Sequence, residues 1–372
     1  MLKVSFIIVA YNAETVIKSS LDSLVNQDYS HSFIEVILVD GLSNDATKQI
    51  MLDFSKKQDT FSRVVVKDNP GRYLACGWNV ALKEVTGDIV LRVDAHTQFP
   101  CDFISKNVQC IDNGENICGG KVLSILQEDT PWNQTLLAAE NSMFGGGFTF
   151  FRRGEVAKYT NTLAFAAYRK KVFDDVGQYN EKLVRTEDNE MHYRMKKAGY
   201  KFFFNPEIVS YRFNRSNLKG LLRQKFLNGY WVGLTHAIEP MAFSIFYLVP
   251  AMLVYAFVLV GLLTIWSLWP LWILIVAYSL ILVLAFTGAL GKRGWHQSVF
   301  AIPAIIAALH FLYGVGTIKG LGEEDLRFRS IKILNLHNKN KVYGVLYWII
   351  EIFIIPFKVL GWAARLIICK SK

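Results

Sequence analysis

Cysteine and charge are both scarce in this sequence of 372 residues. Its five cysteines include no CxxC pair, which argues against a zinc site or a disulfide-stapled secreted domain, and we expect reduced thiols in the cytosol. Charged residues make up 19% of the chain, and none lies within residues 240–291 or 297–318. Because a membrane-spanning helix needs about 20 predominantly apolar residues, the sequence predicts an integral membrane protein.

No signal peptide is recognisable, because the apolar stretch at residues 4–10 is short and leads straight into a polar motif. We therefore expect residues 1–217 to form a cytoplasmic domain. A transmembrane region follows at 240–318, with predicted spans at 241–263, 270–290 and 297–318. Lys292 and Arg293 then lie on the cytoplasmic side, as the positive-inside rule requires. Residues 319–372 form a basic tail, in which 343–368 predicts either a fourth span or an amphipathic helix on the membrane surface.

The segment just before the first predicted span is basic and amphipathic. Lys219, Arg223 and Lys225 alternate there with apolar residues, so 218–239 predicts a helix in the membrane interface, with an ordinary surface helix as the alternative. The formal net charge of the whole chain is +10. Anionic lipid or a diphosphate substrate attracts basic residues as well as nucleic acid does, and we expect no nucleic-acid binding.

Strand-like and helix-like patterns alternate over the N-terminal part of the chain. Short apolar runs predict strands at 4–10, 35–39, 63–67 and 89–94, and helical spacing predicts helices at 14–26, 45–56 and 74–85. This βαβαβαβ order predicts a Rossmann-like α/β domain with a mostly parallel sheet and helices on both faces.

The following region, up to residue 215, has a weaker pattern. Residues 172–177 and 188–198 predict helices, and Gly199 suits the C-cap of the second. Residues 201–204 predict a strand that ends at Asn205-Pro206. The glycines at 145–147 predict a mobile loop.

Polar clusters follow three of the predicted strands. They are Tyr11-Asn-Ala-Glu14, Asp40-Gly-Leu-Ser-Asn-Asp45 and Asp94-Ala-His96. Ligands of parallel α/β sheets lie at the carboxyl ends of the strands, so these clusters predict a ligand site. Residues two apart on an extended chain point to the same side, which places Asp94 and His96 together. A carboxylate beside an imidazole suits a divalent metal that also carries a phosphate ligand.

Six short motifs, in this order and at these spacings, resemble the family 2 glycosyltransferases of GT-A fold over roughly residues 3–235. The motifs are 4–12 with Glu14, 36–45 with Thr47, 69–72 with Asn79, Gly87-Asp88, Asp94-Ala-His96, and 186–190 with Arg194 and Gly199. Within that family, Asp94-Ala-His-Thr97, the glycine stretch and 166–170 are similar to a bacterial exopolysaccharide subgroup that includes succinoglycan-type glucosyltransferases.

The resemblance implies a nucleotide-sugar site, with a UDP-sugar as the favoured donor. The residues that it implies for this site are Ala10, Tyr11, Glu14, Asp40, Arg72, Asn79, Asp94 and Ala95. Tyr11 would offer a stacking face, and Asp40 would accept a hydrogen bond from the base. Alternatives remain for Glu14, which could cap a helix, and for Arg72, which could be a solvated loop residue. We expect Asp45 to cap the helix that begins there.

A divalent cation, Mn²⁺ or Mg²⁺, is the implied cofactor, with Asp94 and His96 as its ligands. Such an ion neutralises the leaving nucleoside diphosphate. Where this sequence has His96, the family usually has Asp. The imidazole of His96 favours Mn²⁺. The alternative is that His96 contacts only a phosphate.

Asp188 is the implied general base of an inverting transfer, in which it takes the proton of the acceptor hydroxyl. Glu187 is the competing candidate. Thr186 could also cap a helix that carries both acids in its first turn.

The resemblance implies an enzyme that adds a single sugar, since the chain lacks the Gln-x-x-Arg-Trp motif of chain-building synthases before the first span. We expect a polyprenyl-diphosphate-linked saccharide as acceptor, in surface or exopolysaccharide biosynthesis. The enzyme would be a multi-pass protein of the bacterial inner membrane with a cytoplasmic catalytic domain. The alternatives are a polyprenyl-phosphate sugar synthase and a non-catalytic membrane scaffold. A transport role has little support, because His310 is the only acidic or basic residue in the predicted spans.

Overall fold

A computed structural model of the protein describes residues 1–142, 145, 150–152, 154–214, 217–239, 241–290 and 296–322. The chain divides into two compact units. One is an α/β domain of residues 1–218 with 288–302, and the other is a helical unit that contains 219–287 and continues from Pro303. The predicted helix at 343–368, most of the predicted loop at 145–147, and Lys292 with Arg293 lie outside the described residues.

Four parallel strands form the first half of the α/β domain, because strand and helix segments alternate along the chain. The strands are β1 (Val4–Ala10), β2 (Ile34–Asp40), β3 (Arg63–Asp68) and β4 (Ile89–Asp94), and the helices between them are α1 (Ile17–Val25), α2 (Thr47–Lys57) and α3 (Leu74–Glu84). β1 pairs with both β2 and β4, and β2 also pairs with β3. The carboxyl ends of all four strands therefore meet at one edge, as predicted.

The second half of the domain extends this sheet. It adds β5 (Thr97–Gln98), α4 (Phe103–Asp112), β6 (Ile117–Ile125), α5 (Pro131–Asn141), β7 (Lys158–Thr160), β8 (Ala167–Arg169), α6 (Lys170–Val176), α7 (Glu187–Lys197) and β9 (Phe202–Phe213), with 3-10 turns at His31–Phe33 and Phe150–Arg152. The strand order is β3-β2-β1-β4-β8-β6-β9-β5, and β7 also pairs with β9. The long pairings are parallel, whereas each antiparallel pairing involves only two or three residues of a strand. The predicted class, α/β with a mostly parallel sheet, is confirmed.

The end predicted for the strand at 201–204 is wrong. β9 continues through Asn205 and Pro206 to Phe213. Its pairing with β6 shifts register around Gly120, where a side chain would collide with the carbonyl oxygen of Asn205. Pro206 has no N–H to donate, and a register shift of this kind accommodates such a residue within a strand. The proline therefore does not end β9.

The two faces of the sheet bury separate apolar clusters. Successive residues of a strand point to opposite faces, so Phe6 and Ile8 of β1 pack with α1, α2 and α4, whereas Ile7 and Val9 pack with α3 and α7. Met191 of α7 belongs to the second cluster. α7 therefore lies on the same face of the sheet as α3.

Four further helices are α8 (Leu218–Ile238), α9 (Val249–Leu263), α10 (Trp269–Leu290) and α11 (Ile302–Gly322), with 3-10 turns at Ile245–Leu248 and Gln297–Ala301. Within the described residues, three stretches are long and apolar enough to cross a membrane: Phe246–Leu263, Trp269–Ala289 and Gln297–Gly322. They overlap the three predicted spans.

Glycines bring α8 and α11 into close contact. A Cβ atom on Gly229 of α8 would lie 2.0 Å from the carbonyl oxygen of Tyr313, and one on Gly316 of α11 would lie 2.2 Å from that of Phe226. Small residues at such crossings let two helix backbones approach, which is common among membrane helices. α8 thus packs against α11, while its location in the membrane interface stays a prediction.

Candidate active site

Hydrogen bonds join the loops after β1 and β2. The Asn12 N–H donates to Ser43 Oγ (2.9 Å), and the Asn44 N–H donates to Asn12 Oδ1 (2.9 Å). The Gly41 N–H donates to the carbonyl oxygen of Ala10 (2.8 Å). The two strand ends therefore form one connected edge of the site.

Glu14 and Asp45 both contact the N-terminus of α2. Glu14 Oε2 accepts the N–H of Ala46 (2.9 Å), and Asp45 Oδ1 accepts that of Thr47 (3.0 Å). These bonds satisfy N–H groups that the first turn of a helix leaves without intrahelical partners. Asp45 lies one residue before the N-cap of α2, which is Ala46, and it contacts the start of this helix through Thr47. Glu14 contacts the start of α2 instead of the start of α1, the helix that follows it in sequence. Its contact with a nucleotide stays a prediction.

Asp40 ends β2 with its side chain fully buried. Its Oδ2 accepts the N–H of Ser43 (3.0 Å), whereas Oδ1 has no hydrogen-bond partner in the part of the chain that the structure describes. Leaving a buried acceptor unsatisfied costs about 1–3 kcal/mol. A ligand that brings an N–H group to this atom would remove that cost. Tyr11 follows the paired residue Ala10, and 47% of its surface is exposed, so its ring is open to a ligand.

Backbone strain is concentrated where β1, β2 and β3 end. Asn12, Leu42 and Arg72 have φ angles of +48°, +59° and +61°, which residues other than glycine seldom adopt. A Cβ atom on Gly41 would lie 3.1 Å from Tyr11 Cβ and 3.3 Å from the carbonyl oxygen of Arg72. The structure therefore brings Arg72 to the site through its backbone, and its side chain is exposed there.

Asn79 is a buried residue of α3. Its Oδ1 accepts the N–H of Tyr179 (2.8 Å), while its Nδ2 donates to the carbonyl oxygen of Tyr179 (3.0 Å) and to Glu181 Oε1 (2.8 Å). The side-chain amide of Asn79 thus makes its hydrogen bonds to other groups of the protein. Asn79 positions the segment around Tyr179, and its predicted contact with the nucleotide sugar receives no support from this geometry.

Asp94 and His96 project from the end of β4, next to the end of β1. Asp94 Oδ2 lies 3.9 Å from His96 Nε2, and the two side chains are 32% and 40% exposed. Ala95 between them is buried. Among the described residues, no three His, Cys, Asp or Glu side chains form a group that could hold a metal. A cation at this point would therefore need further ligands from a substrate or water, as Mg²⁺ bound through phosphates does.

Glu187 and Asp188 occupy the first turn of α7. Glu187 is only 3% exposed, and its Oε2 has no hydrogen-bond partner among the described residues. Asp188 is partly exposed, and its Oδ1 accepts the backbone N–H (2.8 Å) and the side-chain amide (2.9 Å) of Asn189. Thr186, at the N-cap, makes no side-chain capping bond. Asp188 is thus the more accessible carboxyl of the pair.

Burial and mutual repulsion raise the pKa values of these two carboxyls. Burial, together with the charge of Asp188, raises the pKa of Glu187 to about 8. Burial also raises the pKa of Asp188, but Arg92 and the N–H of Asn189 oppose this rise. Asp94 acts on both carboxyls, which places all three in one electrostatic group. A pKa of about 8 keeps Glu187 protonated near neutral pH.

Arg92 belongs to the same electrostatic group as these carboxyls, but we predicted no role for it from the sequence. It lies on β4 two residues before Asp94, is 7% exposed, and has its guanidinium carbon 5.2 Å and 5.3 Å from the ring centroids of Trp78 and Tyr179. A signal was available, because Arg92 is the only charged residue in the apolar run 89–93. A buried charge needs a partner, and such an arginine indicates one.

A family model described as glycosyl transferase family 2 matches residues 5–177, from β1 to the end of α6. Over these residues the domain is similar to glycosyl transferase family 2. The match contains Asp40 and Asp94 and ends before Glu187. The resemblance predicted from the short motifs is confirmed over these residues.

The relatives of this chain include the following two proteins. The first is the "Dolichyl N-acetyl-alpha-D-glucosaminyl phosphate 3-beta-D-2,3-diacetamido-2,3-dideoxy-beta-D-glucuronosyltransferase" of Methanococcus voltae, 24% identical over 336 residues, which are 88% of this chain and 99% of that protein. The second is the succinoglycan biosynthesis protein ExoA of Rhizobium meliloti, 28% identical over 197 residues, 51% of this chain and 57% of that protein. The chain thus spans nearly all of one relative and little more than half of the other.

Among solved structures, the family 2 domain is similar to the crystal structure of S. aureus TarS 1-349. The TM-score is 0.45 at 19% sequence identity, and the similarity covers 60% of this chain and 64% of that one.

Proposed function

We propose that this glycosyltransferase moves a sugar from a UDP-sugar to a hydroxyl group of a lipid-linked saccharide, with inversion and with the help of a divalent cation. The observation that carries the proposal is the placement of three different acids: Asp40 and Asp94 end the two strands that flank β1, and Asp94 acts electrostatically on Asp188 of α7. Asp40 is buried with one oxygen unpartnered, Asp94 lies beside His96, and Asp188 lies beside a second, protonated carboxyl. Each of these acids suits a different part of the reaction.

Asp40 and Tyr11 suit the uracil base of the donor. The unpartnered Oδ1 of Asp40 calls for an N–H donor, and the imide of uracil supplies one. The exposed ring of Tyr11 offers a flat face on which a base stacks. Strained backbone at Asn12, Leu42 and Arg72 holds the surrounding loops in this arrangement.

Asp94 and His96 would hold the divalent cation together with the diphosphate. Ligand atoms lie about 2.0–2.2 Å from such ions, so two ligands of one ion are at most about 4.4 Å apart, and the 3.9 Å between Asp94 Oδ2 and His96 Nε2 lies within this reach. When bound, the cation neutralises the charge of the leaving diphosphate. The imidazole ligand favours Mn²⁺ over Mg²⁺.

Asp188 would act as the general base. It is partly exposed, and both Arg92 and the N–H of Asn189 favour its charged form, so it can accept the proton of the acceptor hydroxyl as the oxygen attacks the anomeric carbon. Glu187 keeps its own proton near neutral pH, which avoids two adjacent negative charges.

A lipid-linked acceptor is supported by the helices and by the relatives. In the part of the chain that the structure describes, three stretches are apolar enough to span a membrane. The name of the M. voltae relative describes a dolichyl-linked N-acetylglucosaminyl phosphate, and that of the R. meliloti relative describes succinoglycan biosynthesis. We therefore place the enzyme in the cell membrane as a multi-pass protein with its catalytic domain in the cytoplasm, acting in surface or exopolysaccharide assembly.

A radiolabelled donor panel tests the proposal. Protein purified in detergent is incubated with UDP-glucose, UDP-galactose, UDP-N-acetylhexosamines or GDP-mannose, with membrane-extracted lipid acceptor and with Mn²⁺ or EDTA. We expect a UDP-sugar to label a lipid-linked saccharide only when Mn²⁺ is present. Label on polyprenyl phosphate itself would indicate a polyprenyl-phosphate sugar synthase instead. If the protein shows no sugar transfer and no Mn²⁺-dependent UDP binding, the proposal is contradicted and a non-catalytic scaffold is favoured.

A further inference from the structure

The 3-10 turn at Gln297–Ala301 packs against α5, and both belong to the α/β unit. Ser298 Oγ in the turn lies 2.9 Å from Thr135 Oγ1 and 3.3 Å from the carbonyl oxygen of Pro131. Thr135 of α5 and Val299 of the turn are both buried. The turn is therefore bound to the N-terminal half of α5.

This turn is also continuous with a stretch that is apolar enough to span a membrane. The stretch Gln297–Gly322 has 26 residues, and α11 begins within it at Ile302. A helix crosses the hydrocarbon core with about 20 residues, so about six residues of this stretch remain outside the core. The polar side chains at its start, Gln297 and Ser298, suit that position. With α11 in the membrane, the turn and the part of α5 bound to it lie at the surface of the bilayer.

Two aromatic side chains beside this contact are exposed. Trp132, which follows Pro131 in α5, is 38% exposed, and Phe300 in the turn is 67% exposed. The only charged residue of α5, Glu140, is buried, whereas α2, a helix of the same length, carries four charged residues. Tryptophan is enriched where membrane meets water, because its ring is apolar and its N–H is polar. The exposed start of α5 thus has the composition of a membrane-contacting surface.

We propose that the N-terminal half of α5 is a membrane contact of the α/β unit, with Trp132 and Phe300 inserted in the interface of the lipid bilayer. It adds to the contact predicted for α8. Lipid is the partner that the position favours, because the turn bound to α5 continues directly into a membrane-spanning stretch. The inference rests on the membrane location proposed above, and it does not depend on sugar transfer.

A disulfide cross-link tests the contact between α5 and the turn in the full-length chain. The hydroxyl oxygens of Thr135 and Ser298 are 2.9 Å apart, so cysteines at these two positions are close enough to form a disulfide. The background replaces by serine every cysteine except the buried Cys110 and Cys118. In membranes treated with copper phenanthroline, we expect Thr135→Cys and Ser298→Cys to couple, seen as a gel shift that dithiothreitol reverses. Gln134→Cys with Ser298→Cys is the matched control, because Gln134 points towards Asp129 instead.

Quenching by nitroxide lipids tests the contact with the bilayer. Trp132→Cys, in the same background, is labelled with a nitrobenzoxadiazole fluorophore and reconstituted in phospholipid nanodiscs with or without lipids that carry a nitroxide near the headgroup. Interfacial side chains lie about 5–10 Å deep, so we expect these lipids to quench the label at least about 2-fold. Phe300→Cys should give the same result, and it serves as the second variant if Trp132→Cys does not fold. The control is Lys57→Cys, at the exposed and charged end of α2, where we expect little quenching.

Cross-linking of Thr135→Cys to Ser298→Cys, together with strong quenching of the label at Trp132→Cys, would support the proposal. Absence of the cross-link, or quenching at Trp132→Cys and Phe300→Cys no stronger than at Lys57→Cys, would overturn it. Both readouts are independent of transfer activity. A protein that gives the expected cross-link and quenching but transfers no sugar would therefore count against the proposed function alone.

Discussion

Glu187 and Asp188 are adjacent in sequence, yet their surroundings give them different properties. Glu187 is turned into the protein, where one oxygen lacks a partner, and burial raises its pKa to about 8. Asp188 is partly exposed and accepts two hydrogen bonds from Asn189, which favour its charged form. Pairs of acids whose environments separate their pKa values commonly divide the roles of proton holder and base.

The first prediction at the residue scale concerns pH and stability. The pKa of Glu187 is raised from 4.5 to about 8 on folding, so the folded state binds more protons than the unfolded state between these values. Its contribution to stability is therefore complete below about pH 4.5 and is lost as the pH rises through about 8. We expect thermal midpoints of the detergent-solubilised protein to fall over this range, and to fall less in Glu187→Gln.

Glu84→Gln is the control for that experiment. Glu84 pairs with Arg63 and Lys67, which lower its pKa, so its contribution has the opposite sign. Equal slopes of midpoint against pH in the wild type and in Glu187→Gln would show that Glu187 is not the group that holds the proton.

The second residue-scale prediction concerns Asp40. Replacing its carboxylate by an amide removes a charge-assisted acceptor for the base, worth about 1.5–3 kcal/mol. We therefore expect Asp40→Asn to weaken UDP binding by about 10–100-fold, measured by calorimetry with Mn²⁺ present. Asp68→Asn is the control, because Asp68 is exposed and pairs with Lys48. Unchanged UDP affinity in Asp40→Asn would remove Asp40 from the donor site.

At the scale of elements, local pattern predicted most of the sheet. β1 to β4 and the helices between them follow from apolar runs and helical spacing, because each element buries one continuous face. β9 did not follow, since its passage through Asn205 and Pro206 depends on the close approach of Gly120 from another strand. A contact between distant residues of this kind leaves no local signal.

Helix packing gives a prediction at this scale. A side chain on Gly316 of α11 would collide with the backbone of α8, whereas Gly261 of α9 has nothing within 4 Å of its Cβ position. We expect Gly316→Leu to lower the free energy of unfolding of the helical unit by about 1–3 kcal/mol, the usual cost of overpacking. Gly261→Leu should have little effect. Thermal unfolding in detergent measures both. Equal midpoints for the two variants would contradict the packing of α8 on α11.

At the scale of the whole molecule, the sequence indicated which residues are candidates for the site, but not which residues contact them. Asp40, Asp94 and Asp188 are recognisable because they follow strands or begin a helix, in an order that resembles family 2 glycosyltransferases. Arg92 was missed because its contacts with Trp78 and Tyr179 form only in the folded domain. Asn79 was predicted from its motif alone, and its bonds to Tyr179 depend on folding in the same way.

The central claim is that Asp188 is the base of a transfer from a nucleotide-sugar donor. The most direct test measures kcat for sugar transfer and UDP affinity on the same purified preparations of wild type and Asp188→Asn, with Mn²⁺ and lipid acceptor. We predict that kcat falls by about 10²–10⁴-fold, while UDP affinity stays within about 3-fold of the wild type. Turnover near that of the wild type in folded Asp188→Asn would contradict the claim, as would a loss of turnover fully explained by a loss of UDP binding.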